Sequence, residues 1–420
     1  VIYFSDFGAG LSPEFGALVY QAAGGQSIST PTLLTWDSEA YDFNGWHSTS
    51  SDASRMTVIS GVTLVRVTSN LRVAAAGALQ AQHLLSGATF LGQGKESADT
   101  GGADGANIIS APIVVSAGQY FELEGDSTST TTTSAFNTWM SIEIVDGSID
   151  RALVNKTANQ AIGAGAFVIM NWGAEAYDTN GFHDNAVNNS RLTVPSTGRY
   201  RVIANISFAA STGQSYVELF KNGARALGLP AKDTETAQNE FINCASGVVE
   251  LTAGDYLEVS AFNTNAINVL AGDATWFSIE EIPSSYVCCL VNKSANQSIS
   301  GGADTVLAWG AEVYDDDAMH DNTTDNSRIY VPAGCTRARP SFSLTTSSVS
   351  AQMAAGTRLD GATYTGAPQY QCDTGGGDNL SAIGAWVDVT PGQYFEVVFF
   401  SGSAVSVLND NRTWFCLECQ

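Results

Sequence analysis

The chain has 420 residues, 18 Lys plus Arg against 42 Asp plus Glu, and a net charge of −24. So few cations exclude a phosphate-neutralising nucleic-acid binder and a protein held on anionic lipid, while 44% hydrophobic and 10% aromatic residues exclude a disordered acidic tail. Only 14% of residues are charged, against roughly 25% in an average soluble protein, so the surface must be built from Ser, Thr, Asn, Gly and Ala, as suits a β-rich extracellular or particle-surface protein.

In chain order, residues 1–18 come first as a short arm carrying Tyr3, Phe4, Phe7 and Phe15 among glycines. No basic n-region opens it, so no signal peptide is expected there, and no later stretch is apolar for the roughly 18 residues of a membrane span. Large aromatics on such an arm become ordered by burial, either along the first folded unit or against a larger particle; these four are the candidate particle-docking residues. From Trp36 a pattern begins: Trp36-x-x-Glu39-x-Tyr41-Asp42, His47, Ser54-Arg55, Val58. The Ala-rich piece Ala74 to His83 is expected as strand and loop, and Gly101 to Ala106 and Asp126 to Ser134 as polar loops at an exposed rim. Between those two loops lies Gly118-Gln-Tyr120-Phe-Glu122, and the pattern closes on Trp139-Met-Ser-Ile-Glu143.

The same text then returns twice. Val154-Asn155-Lys156 recurs as Val291-Asn292-Lys293, and the Trp block stands at 36, 172 and 309, stepping by 136 and then 137 residues. Ser190-Arg191 and Ser327-Arg328, Gly254-Asp-Tyr256-Leu-Glu258 and Gly392-Gln-Tyr394-Phe-Glu396, and finally Trp276-Phe-Ser-Ile-Glu280 and Trp414-Phe-Cys-Leu-Glu418 keep the register. One unit is therefore written three times, and the reading divides the chain into the arm 1–18 and repeats 19–147, 148–284 and 285–420. Within a repeat the period is that of strands: Tyr200 to Phe208, Val248 to Leu251 and Tyr256 to Phe262 are β-branched or aromatic runs between Gly, Asn, Asp and Pro clusters. No segment reads as an amphipathic helix, so the expected class is an all-β sandwich.

The run Trp-x-x-Glu-x-Tyr-Asp, Val194-Pro195-Ser-Thr-Gly198-Arg-Tyr200 and Gly254-x-Tyr256 resembles the C1q/TNF-like jelly roll, in particular the version in bacteriophage tail, fibre and capsid decoration proteins. Repeats one and three depart from it, with Ser60-Gly61-Val62 and Ala333-Gly334-Cys335-Thr336 lacking the aromatic after Gly. The resemblance implies that first and last strands of each repeat lie side by side, so both ends of a repeat emerge together. It further implies trimers, here a pseudo-threefold trimer within one chain or, alternatively, a homotrimer of stacked tiers. The links from Glu143 to Leu153 and Glu280 to Val287 reach at most roughly 33 and 23 Å, which suits a step around a common axis.

Three of four His recur at one place, His47, His183 and His320, each five residues after Asp42, Asp178 or Asp315. A cation loop is one reading; a turn capped by Asp and packed by His is the favoured one, because Ca²⁺ avoids His. Hence no metal, cofactor or catalytic residue is assigned: no nucleophile elbow or zincin helix occurs, and no Ser stands out. All seven Cys lie in the second half, and adjacent first and last strands of repeat three would bring Cys288, Cys289, Cys416 and Cys419 together, as unpaired thiols or as a candidate disulfide cluster; a zinc site ranks behind both, since residues three apart on a strand face opposite sides.

The functional expectation is a non-enzymatic structural protein on the surface of a bacteriophage virion, a knob or fibre docked on capsid or tail protein. The alternatives are a host-attachment protein that binds a surface glycan or receptor, and an extracellular bacterial adhesin or filament subunit. No nucleic-acid partner and no membrane insertion are expected.

Overall fold

A computed structural model describes residues 16–74, 77–98, 105–234, 240–347, 352–372 and 379–420. Among these the chain is all-β, with strands and turns and no helix. The expected runs appear as the strands Gly198–Phe208, Val249–Leu251 and Tyr256–Asn263.

The middle third shows the scheme most completely. One sheet runs Ala174–Asp178, Arg151–Asn155, Trp276–Glu281, Gly198–Phe208, with Glu240–Ala245 and Val249–Leu251 on its far flank. The other runs from Val168–Ile169 and Arg191–Thr193, both along Tyr256–Asn263, to Ser215–Lys221 and Ala231–Thr234. The first strand therefore lies antiparallel to the last, Val154 opposite Phe277, and the chain passes repeatedly between two sheets, which is the jelly-roll order. The same first-to-last pairing joins Ala17–Tyr20 to Trp139–Ile144 and Val287–Asn292 to Trp414–Cys419. Even the irregularities recur: the register of the first strand against its Glu-x-Tyr-Asp partner shifts at Leu18/Val19, Leu153/Val154 and Leu290/Val291. A bulge at each of these places re-aims the Glu and Tyr side chains.

Two sequence expectations change here. The first strand starts at Ala17, so the last residues assigned to the arm belong to a sheet; Tyr3, Phe4, Phe7 and Phe15 lie outside the described residues. Of the rim loops, Gly105 and Ala106 open the strand Gly105–Ile109, which is buried throughout, and Asp126–Ser127 end the strand Tyr120–Ser127. The small residues of this polar-looking stretch are buried beside a neighbouring strand, with Gly105 opposite Gln371. Residues 101–104 are outside the described set.

The repeated motifs have structural jobs. Trp172 stacks on Phe277 with ring centres 5.7 Å apart, and Trp309 meets Phe415 at 5.8 Å, pinning each Glu-x-Tyr-Asp loop to the last strand. Arg55, Arg191 and Arg328 lie over Tyr120, Tyr256 and Tyr394 at 4.1, 3.8 and 4.2 Å, while Ser54 and Ser190 donate to Glu122 and Glu258. Thus Ser-Arg and Gly-x-Tyr-x-Glu, far apart in sequence, form one cross-strand clasp.

One feature of the burial is unlike a free sandwich. An antiparallel sheet ordinarily keeps one face wet, yet the last strands Trp139–Ile144 and Trp414–Cys419 are buried at every residue. Met140 and Ile142 fill their own core, whereas Leu18 and Trp139 pack into the core of the third set of strands. Leu153 and Trp276 of the second set pack into the first, and Val248 and Ile282 pack with Leu290 and Trp414 of the third.

Candidate functional site

The outward faces of the three last strands carry Trp139, Ser141, Glu143; Trp276, Ser278, Glu280; and Trp414, Cys416, Glu418. Antiparallel register places Arg66 opposite Glu143, Arg201 opposite Glu280 and Arg339 opposite Glu418. Each arginine binds the Glu of its own sheet and that of another. Arg66 bonds Glu143 and Glu280; Arg201 bonds Glu280, at 2.6 Å, and Glu418; Arg339 bonds Glu418 at 3.1 Å and Glu143 at 2.8 Å. Followed from partner to partner, the six side chains form a closed cycle with no net charge.

The cycle is largely buried: the Arg201 side chain is 1% exposed and that of Glu418 is not exposed at all, while Glu143, at 11%, borders a small cavity. Burial opposes ionisation of Glu143, but Arg339, Arg66 and Arg201 outweigh it and hold the carboxyl at about 2. Glu418 is held down in the same way by Arg201 and Arg339 against burial. Burial dominates at Arg66, whose guanidinium is drawn down to about 10. Buried charges of this kind are tolerable only when paired and hydrogen-bonded, and here each carboxylate meets two guanidinium groups.

Two further rings of hydrogen bonds run with it. The indole N–H of Trp139 donates to Ala367 O (3.1 Å), that of Trp276 to Gln93 O (2.8 Å) and that of Trp414 to Leu229 O (3.0 Å). The hydroxyls of Tyr41, Tyr177 and Tyr314 donate to the carbonyls of Trp386, Pro112 and Val248. Immediately before the three Trp-accepting carbonyls stand Gly92, Gly228 and Gly366, with φ of +88°, +86° and +90°. A Cβ on Gly228 would lie 2.6 Å from Val249 Cγ1 and 3.0 Å from Leu290 Cδ2, so only glycine lets the loop approach the next set of strands.

The recurrent His is a structural clasp. His47, His183 and His320 contact Glu39, Glu175 and Glu312 through Nδ1 at 2.8, 2.9 and 3.0 Å, and a backbone carbonyl through Nε2. Asp42, Asp178 and Asp315 accept from the His backbone N–H, as the turn reading requires. Among the described residues no group of three His, Cys, Asp or Glu side chains is placed to hold a metal. His83 touches Ser69 Oγ at 2.9 Å, but both are fully buried, and burial lowers the imidazole to about 3. A nucleophile and base enclosed in this way have no route to a substrate.

The cysteine strands converge as the register required, Leu290 opposite Cys416 and Val287 opposite Cys419, but the sulfurs do not form one cluster. Cys288 and Cys416 lie on the face turned to the second set of strands, and Cys289 and Cys419 on the core face. All four are free thiols, and burial pushes Cys416 up to about 12. The strand alternation that counted against zinc also divides the proposed disulfide group.

The glutamates of the cycle were visible as the closing residue of each repeat; the arginines were not. Arg66, Arg201 and Arg339 share their strands with Arg72, Arg199 and Arg337 and with several Ser, Thr and Asn residues, so nothing local marked them as the cations on the buried face.

At the level of sequence, no known protein family and no curated protein matches the chain. Among solved structures, the chain is similar to the Eiger TNF of S. frugiperda, with 16% identity, 33% of this chain and 94% of that one covered, and a TM-score of 0.26. Murine APRIL shows 13% identity over 32% of this chain and all of its own, also at 0.26. A structure described as the triple jelly roll fold and turret assembly in an archaeal virus covers 94% of this chain and 89% of its own, at 11% identity and a TM-score of 0.20.

Proposed function

We propose that the chain is a non-enzymatic structural protein of a virion surface, built as a knob of three tandem jelly-roll domains, 17–147, 148–284 and 285–420, in a pseudo-threefold ring within one polypeptide. The closed Arg–Glu cycle carries the reading. A cycle in which every arginine bridges two strand sets and the third returns to the first satisfies all six charges inside one chain. Stacked homotrimeric tiers would instead have to draw equivalent partners from other chains. Light scattering is expected to give one chain, 44.0 kDa, in solution; three times that mass removes the single-chain ring in favour of the homotrimer.

The virion assignment is supported by the resemblance of the repeats to phage decoration and fibre modules and by an acidic surface poor in charged residues. A ring whose interfaces are used up internally docks through what remains, and the aromatic residues Tyr3, Phe4, Phe7 and Phe15 are suited to that contact. The chain is expected in purified virus particles by mass spectrometry, and recombinant chain lacking residues 1–15 should remain a single chain in solution but no longer sediment with them. Presence on virus-free cells and absence from particles would replace this reading with the adhesin.

A further inference from the structure

The three joints between strand sets are not equivalent. Lys232 and Glu96, both buried, pair at 2.7 Å across the first and second sets, and Arg199 reaches Asp316 at 2.7 Å across the second and third. Between the third and first sets lies an open cleft of about 460 Å³.

Its walls differ from the repeat in two places. On the strand Met353–Leu359, Ala354 and Gly356 stand opposite Phe400 and Val398. The same two positions hold Tyr216 and Glu218 in the second set, opposite Phe262 and Ser260, and Gln80 and Gln82 in the first, opposite Asp126 and Glu124. The Tyr216 position is filled further by Phe167 and by Arg412 of the third set, which donates to the Tyr216 hydroxyl at 2.6 Å. Ala354 therefore opens what Tyr216 and Phe167 close in the second copy, while the space over Gly356 is taken by Gln369, itself a wall of the cleft. On the facing wall, Arg72 occupies a position that is Ser207 and Thr345 in the other copies.

Arg72 donates to the neutral amide oxygen of Gln369 at 2.9 Å, and Gln369 in turn donates to Asn137. Arg358, across the cleft, pairs with Asp304 at 2.6 Å. Two guanidinium groups against one carboxylate make the cleft cationic in a chain of net charge −24. Phe400 supplies an aromatic ring beside the small floor, and Ser134, Gln352 and Thr363 add neutral hydrogen-bonding groups. An apolar shelf, a ring of amides and hydroxyls and a guanidinium hydrogen-bonded to a neutral amide, whose neighbouring carboxylate Asp304 is already paired with Arg358, match the three surfaces of an acidic sugar: its C–H face, its hydroxyls and its carboxylate.

We propose that this cleft binds a pyranose bearing a carboxylate, with Arg72 taking the carboxylate and Phe400 the sugar face. The site goes beyond the structural role and stands or falls separately from it. The test is calorimetry and saturation-transfer NMR on the full chain with two acidic probes, 3′-sialyllactose and trigalacturonate, and neutral lactose. At least one acidic probe should bind at millimolar concentration and lactose should not; which one does so identifies the acid as a sialic or a uronic acid. Loss of a charge-assisted bidentate bond predicts that Arg72→Gln weakens binding roughly 10- to 100-fold. Ala354→Tyr, which restores the side chain of the second set, should abolish binding while leaving the thermal midpoint and Arg72 in place. No binding of either acid, equal binding of lactose, or undiminished binding by Ala354→Tyr would overturn the proposal, the last even if Arg72→Gln failed to fold.

Discussion

Arg201→Ala is expected to lower the unfolding free energy by roughly 3–5 kcal/mol, seen as a fall in the urea midpoint with little change in slope. The substitution removes the guanidinium that joins Glu280 to Glu418, both at most 3% exposed. Each carboxylate keeps one arginine, Arg66 or Arg339, but the largely buried group now carries a net negative charge. Arg201→Met separates charge from packing: it restores much of the buried stem yet should lose most of the same stability. Replacing all six residues by apolar ones of similar volume should be close to neutral, because the attraction within a buried ion pair largely offsets its desolvation. The cycle then serves to select which faces meet. A loss below about 1 kcal/mol for Arg201→Ala, the range of exposed pairs, would show that the cycle is hydrated and does not hold the three sets together.

What could be read from the sequence was what each repeat repeats locally. The Asp and His positions fall within eight residues of their partners, so their recurrence exposed the turn that Asp caps and His closes, whereas the partners of the repeated Trp and Tyr lie far away in the chain. The strands were legible for the same reason, since alternation is a property of neighbouring residues. The Arg–Glu cycle was not, because Arg66 is 77 residues from Glu143 and 214 from Glu280, and no local pattern connects them. Burial on both faces of Trp139–Ile144 likewise depends on a neighbour that the strand's own sequence does not name. The cleft was hidden for the opposite reason. Recurrence marks what the copies share, whereas Arg72 and Ala354 matter by differing from their counterparts.

Acid should act on the cycle before it acts on the cores. Glu143 has a folded pKa of about 2 against an ordinary value of 4.5, and Glu418 is lowered as well. A carboxyl depressed by folding stabilises the folded state fully above its unfolded pKa, and that contribution disappears as pH falls through the folded one. For Glu143 alone the shift corresponds to about 3 kcal/mol, lost between roughly pH 4.5 and 2. From pH 7 down to about 4.5 the opposite trend applies, because neutralising surface carboxylates relieves the self-repulsion of a chain at −24. Unfolding midpoints in urea are therefore expected to hold or rise from pH 7 to about 4.5 and then drop steeply. Glu143→Gln provides the control: less stable at neutral pH, it should show a shallower acid limb, since one of the titrating groups is gone. An acid limb of unchanged steepness would place the titration on surface carboxylates such as Asp255 or Asp316, whose pKa values are also lowered. Protonating one glutamate of the cycle leaves two guanidinium groups each short of a partner. With the buried group then at +1, each remaining carboxylate is held more strongly as the anion, so a second proton costs more than the first and the three strand sets should come apart together rather than titrate one glutamate at a time.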